Sequence, residues 1–209
     1  KLRPQEVYVG PNFAFGHRRE GSFKLLREIG EEKGFWVGKI HQVQFRGTRV
    51  SSTAVRQALL SGQVAFARRL LGRPFALVGE IVDGTATGSE IQVPTANLGT
   101  SNDLIPRMGV YVTRLSVEGC RHGSVTNIGV RPTVTKSDTT PRMSIETHVL
   151  DFDQNLYGKA VTLEFLVRLR DERRFPDTSA LVAQIQKDIG RARRYFRCFT
   201  PSERVRVGN

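Results

Sequence analysis

At Gly72-Arg73-Pro74 the sequence changes texture, and that change restricts everything downstream. Short β-rich runs follow at Phe75–Val82, Val110–Val117, Ser124–Ile128, Ser144–Leu150 and Val161–Leu169, with Gly, Pro, Asn and Asp in the gaps. Several runs alternate apolar with polar residues, the period of a half-buried strand. Strands in this number, with no long helices between them, must dispose of their edges, so a closed antiparallel barrel is expected. One helix should follow, from about Thr178 to Phe196. It places Leu181, Val182, Ile185, Ile189, Ala192 and Phe196 on one face. Gln184, Lys187, Asp188, Arg191 and Arg194 fall largely elsewhere and read as a solvated face.

Upstream, the pattern is α/β. A short strand, Glu6-Val7-Tyr8-Val9, enters the loop Gly10-Pro11-Asn12-Phe13-Ala14-Phe15-Gly16. Ser22 is placed to cap a helix that Gly30 or Gly34 ends, and Phe35 to Phe45 holds another strand. Ser51 or Ser52 caps the next helix. Val64 to Leu71 forms a further short one, stopped by Gly72 and Pro74. Such alternation predicts a parallel sheet with covering helices. The expected fold class is therefore α+β, with residues 1–73 as an α/β segment and residues 74–209 as a barrel with a C-terminal helix.

Net charge is +12, unevenly spread. Residues 1–73 carry 14 Lys/Arg against 5 Asp/Glu, residues 74–167 carry 7 against 10, and residues 168–209 carry 11 against 5. Basic ends favour anionic partners, nucleic acid or phosphorylated small molecules, although on charge alone plain solvated arginines on exposed helices are the favoured reading. Cys120 and Cys198 form no CxxC pair and lie in no histidine pattern. This argues against a zinc site and fits a reducing cytoplasm, with a bridge between them the less favoured alternative. No window reaches the roughly 18–20 apolar residues of a membrane helix, so no membrane partner is expected.

The segment Gly79-Glu80-Ile81-Val82-Asp83-Gly84-Thr85-Ala86-Thr87-Gly88 precedes Val93-Pro94-Thr95-Ala96-Asn97. Glycines around a turn let backbone amides approach phosphate oxygens. Thr95 and Asn97 offer a hydroxyl and an amide oxygen, hard donors suited to Mg²⁺ held jointly with ATP phosphates. The residues alone leave a capped turn and a cation site equally open.

These motifs, with Asn127-Ile128-Gly129-Val130-Arg131-Pro132-Thr133, Ile145-Glu146-Thr147-His148-Val149-Leu150-Asp151-Phe152, Leu156-Tyr157-Gly158 and Leu169-Arg170-Asp171-Glu172-Arg173-Arg174-Phe175, resemble the riboflavin kinase family in the family's own order. The resemblance implies a small antiparallel barrel with a C-terminal helix, which converts riboflavin and MgATP to FMN and ADP. It implies that Thr95 and Asn97 hold Mg²⁺ and ATP phosphate, that Gly79, Gly84 and Gly88 face the nucleotide, and that Val149, Asp151 and Tyr157 lie on the adenine side. Glu146 is implied as the base for the terminal ribityl hydroxyl. Arg170, Arg173 and Phe175 are implied to close over the flavin. His148 shares the alternation of Glu146 and reads as a structural or solvent-facing residue.

Residues 1–73 resemble part of the FMN adenylyltransferase module of bifunctional riboflavin kinase/FAD synthetases, a Rossmann-like nucleotidyltransferase. The likeness rests on the loop that includes Asn12, Phe13, Gly16 and Arg19, and on Ser51-Ser52-Thr53-Ala54-Val55-Arg56. Hydroxyls at a helix start, with Arg56 as a bidentate clamp, suit ATP phosphates. The family's His-x-Gly-His motif is absent and so are its opening strands, so this module is expected to be incomplete. Asn12 stands where the family usually has Asp. Gln92 stands in place of a glycine and Ser89 in place of a basic residue, from which an altered ATP affinity is expected. A flavin-binding regulatory module without turnover is the alternative, and a nucleic-acid-binding barrel ranks last.

Overall fold

The computed structural model describes residues 3–83, 94–131 and 142–199. Gly84, Gly88, Ser89, Gln92, Pro132 and Thr133 lie outside the described residues. The chain divides into two compact units, residues 1–50 and 51–209.

In the first unit, β1 (Glu6–Val9) pairs in parallel with β2 (Trp36–Lys39), Val7 opposite Val37. The crossover is α1 (Phe23–Lys33), as the strand–helix–strand pattern requires. The Ser22 hydroxyl accepts the Leu25 N–H at 3.2 Å, and Gly34 ends the helix in the left-handed region at φ 78°. Helix and strand approach closely at Gly30, where a Cβ would lie 2.5 Å from the Phe35 carbonyl oxygen. A small hairpin, β3 (Gln44–Phe45) and β4 (Thr48–Arg49), completes the unit.

The second unit opens with α2 (Ser52–Leu60), capped by the Ser51 hydroxyl on the Ala54 N–H at 3.2 Å, and α3 (Val64–Leu71), ended by Gly72 at φ 73°. Leu59, Val64 and Ala67 are fully buried in one cluster with Leu77, Tyr111 and Phe165. The boundary expected at Gly72-Arg73-Pro74 therefore falls inside this unit. The apolar faces of α2 and α3 find their burial against the barrel, so residues 51–73 pack with the strands that follow them.

The barrel is closed and antiparallel throughout, as the run of strands predicts. Its strands are β5 (Phe75–Val82), β6 (Ala96–Thr100), β7 (Gly109–Val117), β8 (Cys120–Arg131), β9 (Arg142–Val149) and β10 (Ala160–Arg170). They are joined in the order β10-β5-β6-β9-β8-β7. Strand β6 was not among the expected runs. Its sequence, Ala-Asn-Leu-Gly-Thr, is weak strand material, and it is held by β5 on one side and β9 on the other.

Leu77, Leu115, Ile128, Leu163 and Phe165 fill the barrel interior. A buried hydroxyl chain crosses them. Thr113 Oγ1 bonds Ser124 Oγ and Thr126 Oγ1, each at 2.7 Å, and Thr126 Oγ1 bonds Thr147 Oγ1 at 2.9 Å. Mutual pairing removes the penalty that each hydroxyl would otherwise incur. The final helix, α4 (Thr178–Phe199), packs on the outer face of β7 and β8, burying Ile189 and Ala192 against Val110, Val112 and Val125. Gly123 lets it settle: a Cβ there would meet the Phe196 ring at 2.7 Å.

Candidate functional site

The register of the barrel sets one row of residues across all six strands. Val82 lies opposite Asn97, Asn97 opposite Glu146, Glu146 opposite Asn127, Asn127 opposite Val110, and Val110 opposite Arg170. Directly opposed residues of an antiparallel pair share a face. Val110 belongs to the cluster under α4, so the row faces outward, and its members Glu146, Asn127, Val110 and Arg170 lie beneath that helix.

Between this face and α4 lies a cavity of about 350 Å³. Thr95, Asn127, Glu146, His148, Arg170, Glu172, Arg173, Phe175 and Asp188 supply its polar and aromatic lining, and Val110, Val125, Leu181 and Ile185 its apolar walls. A largely apolar cleft with a few convergent polar groups is the usual form of a small-molecule site.

One wall is an ordered polar chain. Arg170 Nε donates to Asp188 Oδ2 at 2.8 Å, Gln184 Nε2 donates to Asp188 Oδ1 at 2.9 Å, and Arg173 Nη2 donates to Gln184 Oε1. Both guanidinium groups lie over the Phe175 ring, at 5.7 Å for Arg170 and 4.8 Å for Arg173. The loop after β10 is tied on its other side by Arg168, which donates to Asp171 Oδ1 at 2.8 Å and to the Met108 carbonyl at 2.6 Å. The Arg168 hydrogen bond and charge hold the Asp171 carboxyl below its ordinary range, and burial pushes the Tyr111 hydroxyl, beside Arg168, up. On the opposite wall, His148 Nδ1 lies 2.9 Å from the Pro94 carbonyl oxygen, tying β9 to the segment that carries Thr95.

Five residues singled out in the sequence thus meet at one cavity: Thr95, Glu146, Arg170, Arg173 and Phe175. Asn97 lies beside Glu146 on the neighbouring strand. Others do not join them. The Val149 side chain packs in the barrel core, facing the interior where the strand alternation puts it. Asp151 pairs with Arg193 at 2.7 Å beside a different hollow. Tyr157 is exposed and bonds Asp83, whose charge raises its hydroxyl pKa. Gly79 has a packing role: a Cβ there would lie 2.0 Å from the Gly99 carbonyl oxygen.

Asn127, Glu172 and Asp188 also line the cavity although no site role was legible for them in the sequence, and His148 does so although it read as structural or solvent-facing. Asn127 had a readable signal, since it opens the Asn127-Ile128-Gly129-Val130-Arg131-Pro132-Thr133 motif. Gly129 had another. Its missing Cβ would lie 2.1 Å from Glu172 Oε1, so bare backbone there admits the Glu172 carboxylate.

Of the adenylyltransferase-like residues, Asn12, Phe13, Gly16 and Arg19 belong to the first unit and Ser51, Ser52, Thr53 and Arg56 to the second. Arg19 Nη2 donates to the Asn12 carbonyl at 3.4 Å, Phe13 stacks on Phe15 at 5.6 Å, and Gly16 turns the loop at φ 78°.

Residues 71–196 match the family model described as riboflavin kinase, and residues 1–54 match that described as FAD synthetase. A protein of Pseudomonas fluorescens described as bifunctional riboflavin kinase/FMN adenylyltransferase is 39% identical over 92% of this chain and 61% of its own length. One of the same description from Escherichia coli (strain K12) is 39% identical over 96% of this chain and 63% of its own. The chain therefore spans about three-fifths of the length of these curated relatives. A crystal structure described as a macrolide-efflux protein from Streptococcus pneumoniae superposes with TM-score 0.80 at 29% identity, over 90% of this chain and 60% of that one. Among the described residues of the present chain, no helix is long and apolar enough to cross a membrane. The motif order, the closed barrel and the match over residues 71–196 agree: this chain belongs to the riboflavin kinase family, with a partial FAD synthetase segment at its start.

Proposed function

We propose that the cavity under α4 binds riboflavin and that the second unit transfers the ATP γ-phosphate to its terminal ribityl hydroxyl, giving FMN and ADP. The observation that carries this reading is the convergence of Thr95, Glu146, Arg170 and Phe175, far apart in sequence, on one largely apolar cleft. Glu146 accepts the hydroxyl proton as the oxygen attacks, a role worth about 10²–10⁴-fold for a positioned base. The apolar walls and the Arg–Phe175 stack hold the ring system and exclude water, while positioning supplies most of the remaining acceleration.

A hydroxyl at Thr95 and an amide oxygen at Asn97, two residues apart beside Glu146, fit Mg²⁺, which commonly takes one or two protein oxygens together with substrate phosphates. Thr95 and Asn97 would hold it, and the bound cation would neutralise charge on the transferring phosphate. The nucleotide is assigned to the side of Asp83 and Tyr157, with Gly84 and Gly88 kept as ATP-binding residues on the resemblance alone and Val149 and Asp151 left out of that role. Asn12, Phe13, Gly16 and Arg19 in the first unit, and Ser51, Ser52, Thr53 and Arg56 in the second, are each read from the resemblance as adenylyltransferase-like, and the whole protein is proposed to make FAD from FMN, in the cytoplasm.

The test is incubation with riboflavin and MgATP followed by chromatographic separation of the flavins. FMN should form, and Glu146→Gln should lower its rate by about 10²–10⁴-fold while riboflavin still binds. Riboflavin binding without any FMN would move the chain to a flavin-binding regulatory role.

A further inference from the structure

The buried carboxylate of Asp188 is not explained by the phosphoryl-transfer roles above. It is 1% exposed, on the helix that roofs the cavity, and both of its oxygens are engaged. Oδ2 takes the Arg170 Nε hydrogen bond at 2.8 Å and Oδ1 that of Gln184 Nε2 at 2.9 Å. Because Gln184 Oε1 in turn accepts from Arg173, one carboxylate anchors two arginines, the first directly and the second through an amide.

A largely buried charge pair such as Arg170–Asp188 contributes little to stability by itself, since an apolar pair of the same volume often does as well. What such a pair does provide is a fixed geometry. Arg170 Nε is held by Asp188, and Nη1 by the Asp171 carbonyl at 3.0 Å. Among the described residues Nη2 makes no hydrogen bond, which leaves one donor nitrogen of a rigid, planar fork for a ligand in a cavity walled by Val110, Val125, Leu181 and Ile185.

We propose that Asp188 is a positioning residue for flavin recognition: it locks Arg170 so that Nη2 donates to a carbonyl oxygen at the polar edge of the ring system. This rests on the flavin reading above and deepens it. Asp188 itself contacts Arg170 and Gln184, and its effect on the substrate passes through Arg170. Asparagine keeps the shape of Asp188 but turns one acceptor into a donor, so Arg170, Gln184 and Arg173 cannot all remain bonded: either Arg170 or Gln184 loses its acceptor, or the Gln184 amide flips and releases Arg173.

The test measures riboflavin binding by flavin fluorescence, and steady-state kinetics for riboflavin and ATP, with thermal unfolding to establish folding. Asp188→Asn is expected to weaken riboflavin binding by about ten- to a hundredfold, the worth of a hydrogen bond to a charged group, with the KM for ATP unmoved and kcat little changed. In the Arg170→Ala background, adding Asp188→Asn should weaken binding no further. Equal changes in the KM of both substrates, or additive losses in the double variant, overturn the proposal and leave Asp188 with a merely structural role. Should Asp188→Asn not fold, Arg170→Lys takes its place. A lysine keeps the charge facing Asp188 but lacks the fork, so riboflavin binding should fall while the KM for ATP holds, and undiminished riboflavin binding overturns the proposal. A wild-type chain that binds no riboflavin overturns the functional reading and this inference together, whereas wild-type binding matched by Asp188→Asn overturns this inference alone.

Discussion

Replacing Gly79 by alanine separates a glycine that strand packing requires from one that a nucleotide requires. An ideal Cβ at Gly79 would lie 2.0 Å from the Gly99 carbonyl oxygen, 3.0 Å from its carbon and 3.0 Å from Leu98 Cδ1. The obstructing atom is backbone, so relief requires β5 and β6 to move apart by about an ångström, a large fraction of the tolerance of a 4.7–4.9 Å strand spacing. That movement strains the pairs Gly79–Thr100 and Glu80–Gly99, and with them the 2.7 Å bond from the Thr100 hydroxyl to the Val78 carbonyl. Overpacking of this kind costs about 2–3 kcal/mol, which for a unit of this size lowers the melting temperature by roughly 4–12 °C. Differential scanning fluorimetry reads the shift, with Gly99→Ala as the control. There the added Cβ meets Val82 Cγ1 at 2.8 Å, an exposed side chain that can turn away, so the loss should be smaller. An unchanged melting temperature for Gly79→Ala, together with a raised KM for ATP, would refute the packing argument and return Gly79 to the nucleotide.

Three further outcomes follow from local features. Ser51→Ala removes the α2 cap and should cost about 1 kcal/mol, or roughly 2–4 °C in melting temperature, whereas Ser51→Thr should retain most of it. Thr126→Val keeps the shape but deletes the hydroxyl bonded to both Thr113 and Thr147, so urea denaturation should show a loss of about 1–3 kcal/mol. The Asp171 carboxyl, held low chiefly by its hydrogen bond from Arg168, should titrate below its ordinary value of 3.8. The contribution of a group with a depressed folded pKa is complete above the unfolded value and fades as pH falls from 3.8 through the folded value. Carbon-13 NMR of the carboxyl should find that low midpoint, and Arg168→Met should raise it.

Much of the fold was legible because its signals are local. Ser22 and Ser51 cap the helices that they precede, Gly34 and Gly72 end theirs in the left-handed region, and the run Phe75–Val82 is strand β5 at its bounds. Strand β6 was not legible, because closure between β5 and β9 makes it a strand despite its composition. Helices α2 and α3 continued an alternating pattern and so read as part of the segment before them, while their burial partners lie in the barrel.

At the site, the alternation shared by Glu146 and His148 correctly identified their outward face. It could not reveal that α4 roofs that face. Asp188 and Gln184 occupy polar positions of α4 and read as solvated, yet they are 1% and 9% exposed. Periodicity sorts residues by polarity, and here two of the polar ones are buried because arginines from another element complete their hydrogen bonds.

The outward row Val82–Asn97–Glu146–Asn127–Val110–Arg170 ties chemistry to the pairing of strands. Strand side chains alternate with a period of two, so a slip of one residue in β9 would send Glu146 into the barrel core and bring Thr147 out in its place. Insertions and deletions within these strands are therefore disfavoured twice over, once by the core and once by the alignment of the site. Length variation among relatives should collect in the connections between strands. The barrel therefore couples the two: the pairing that buries the apolar residues in this register also aligns the site, and a one-residue slip loses both.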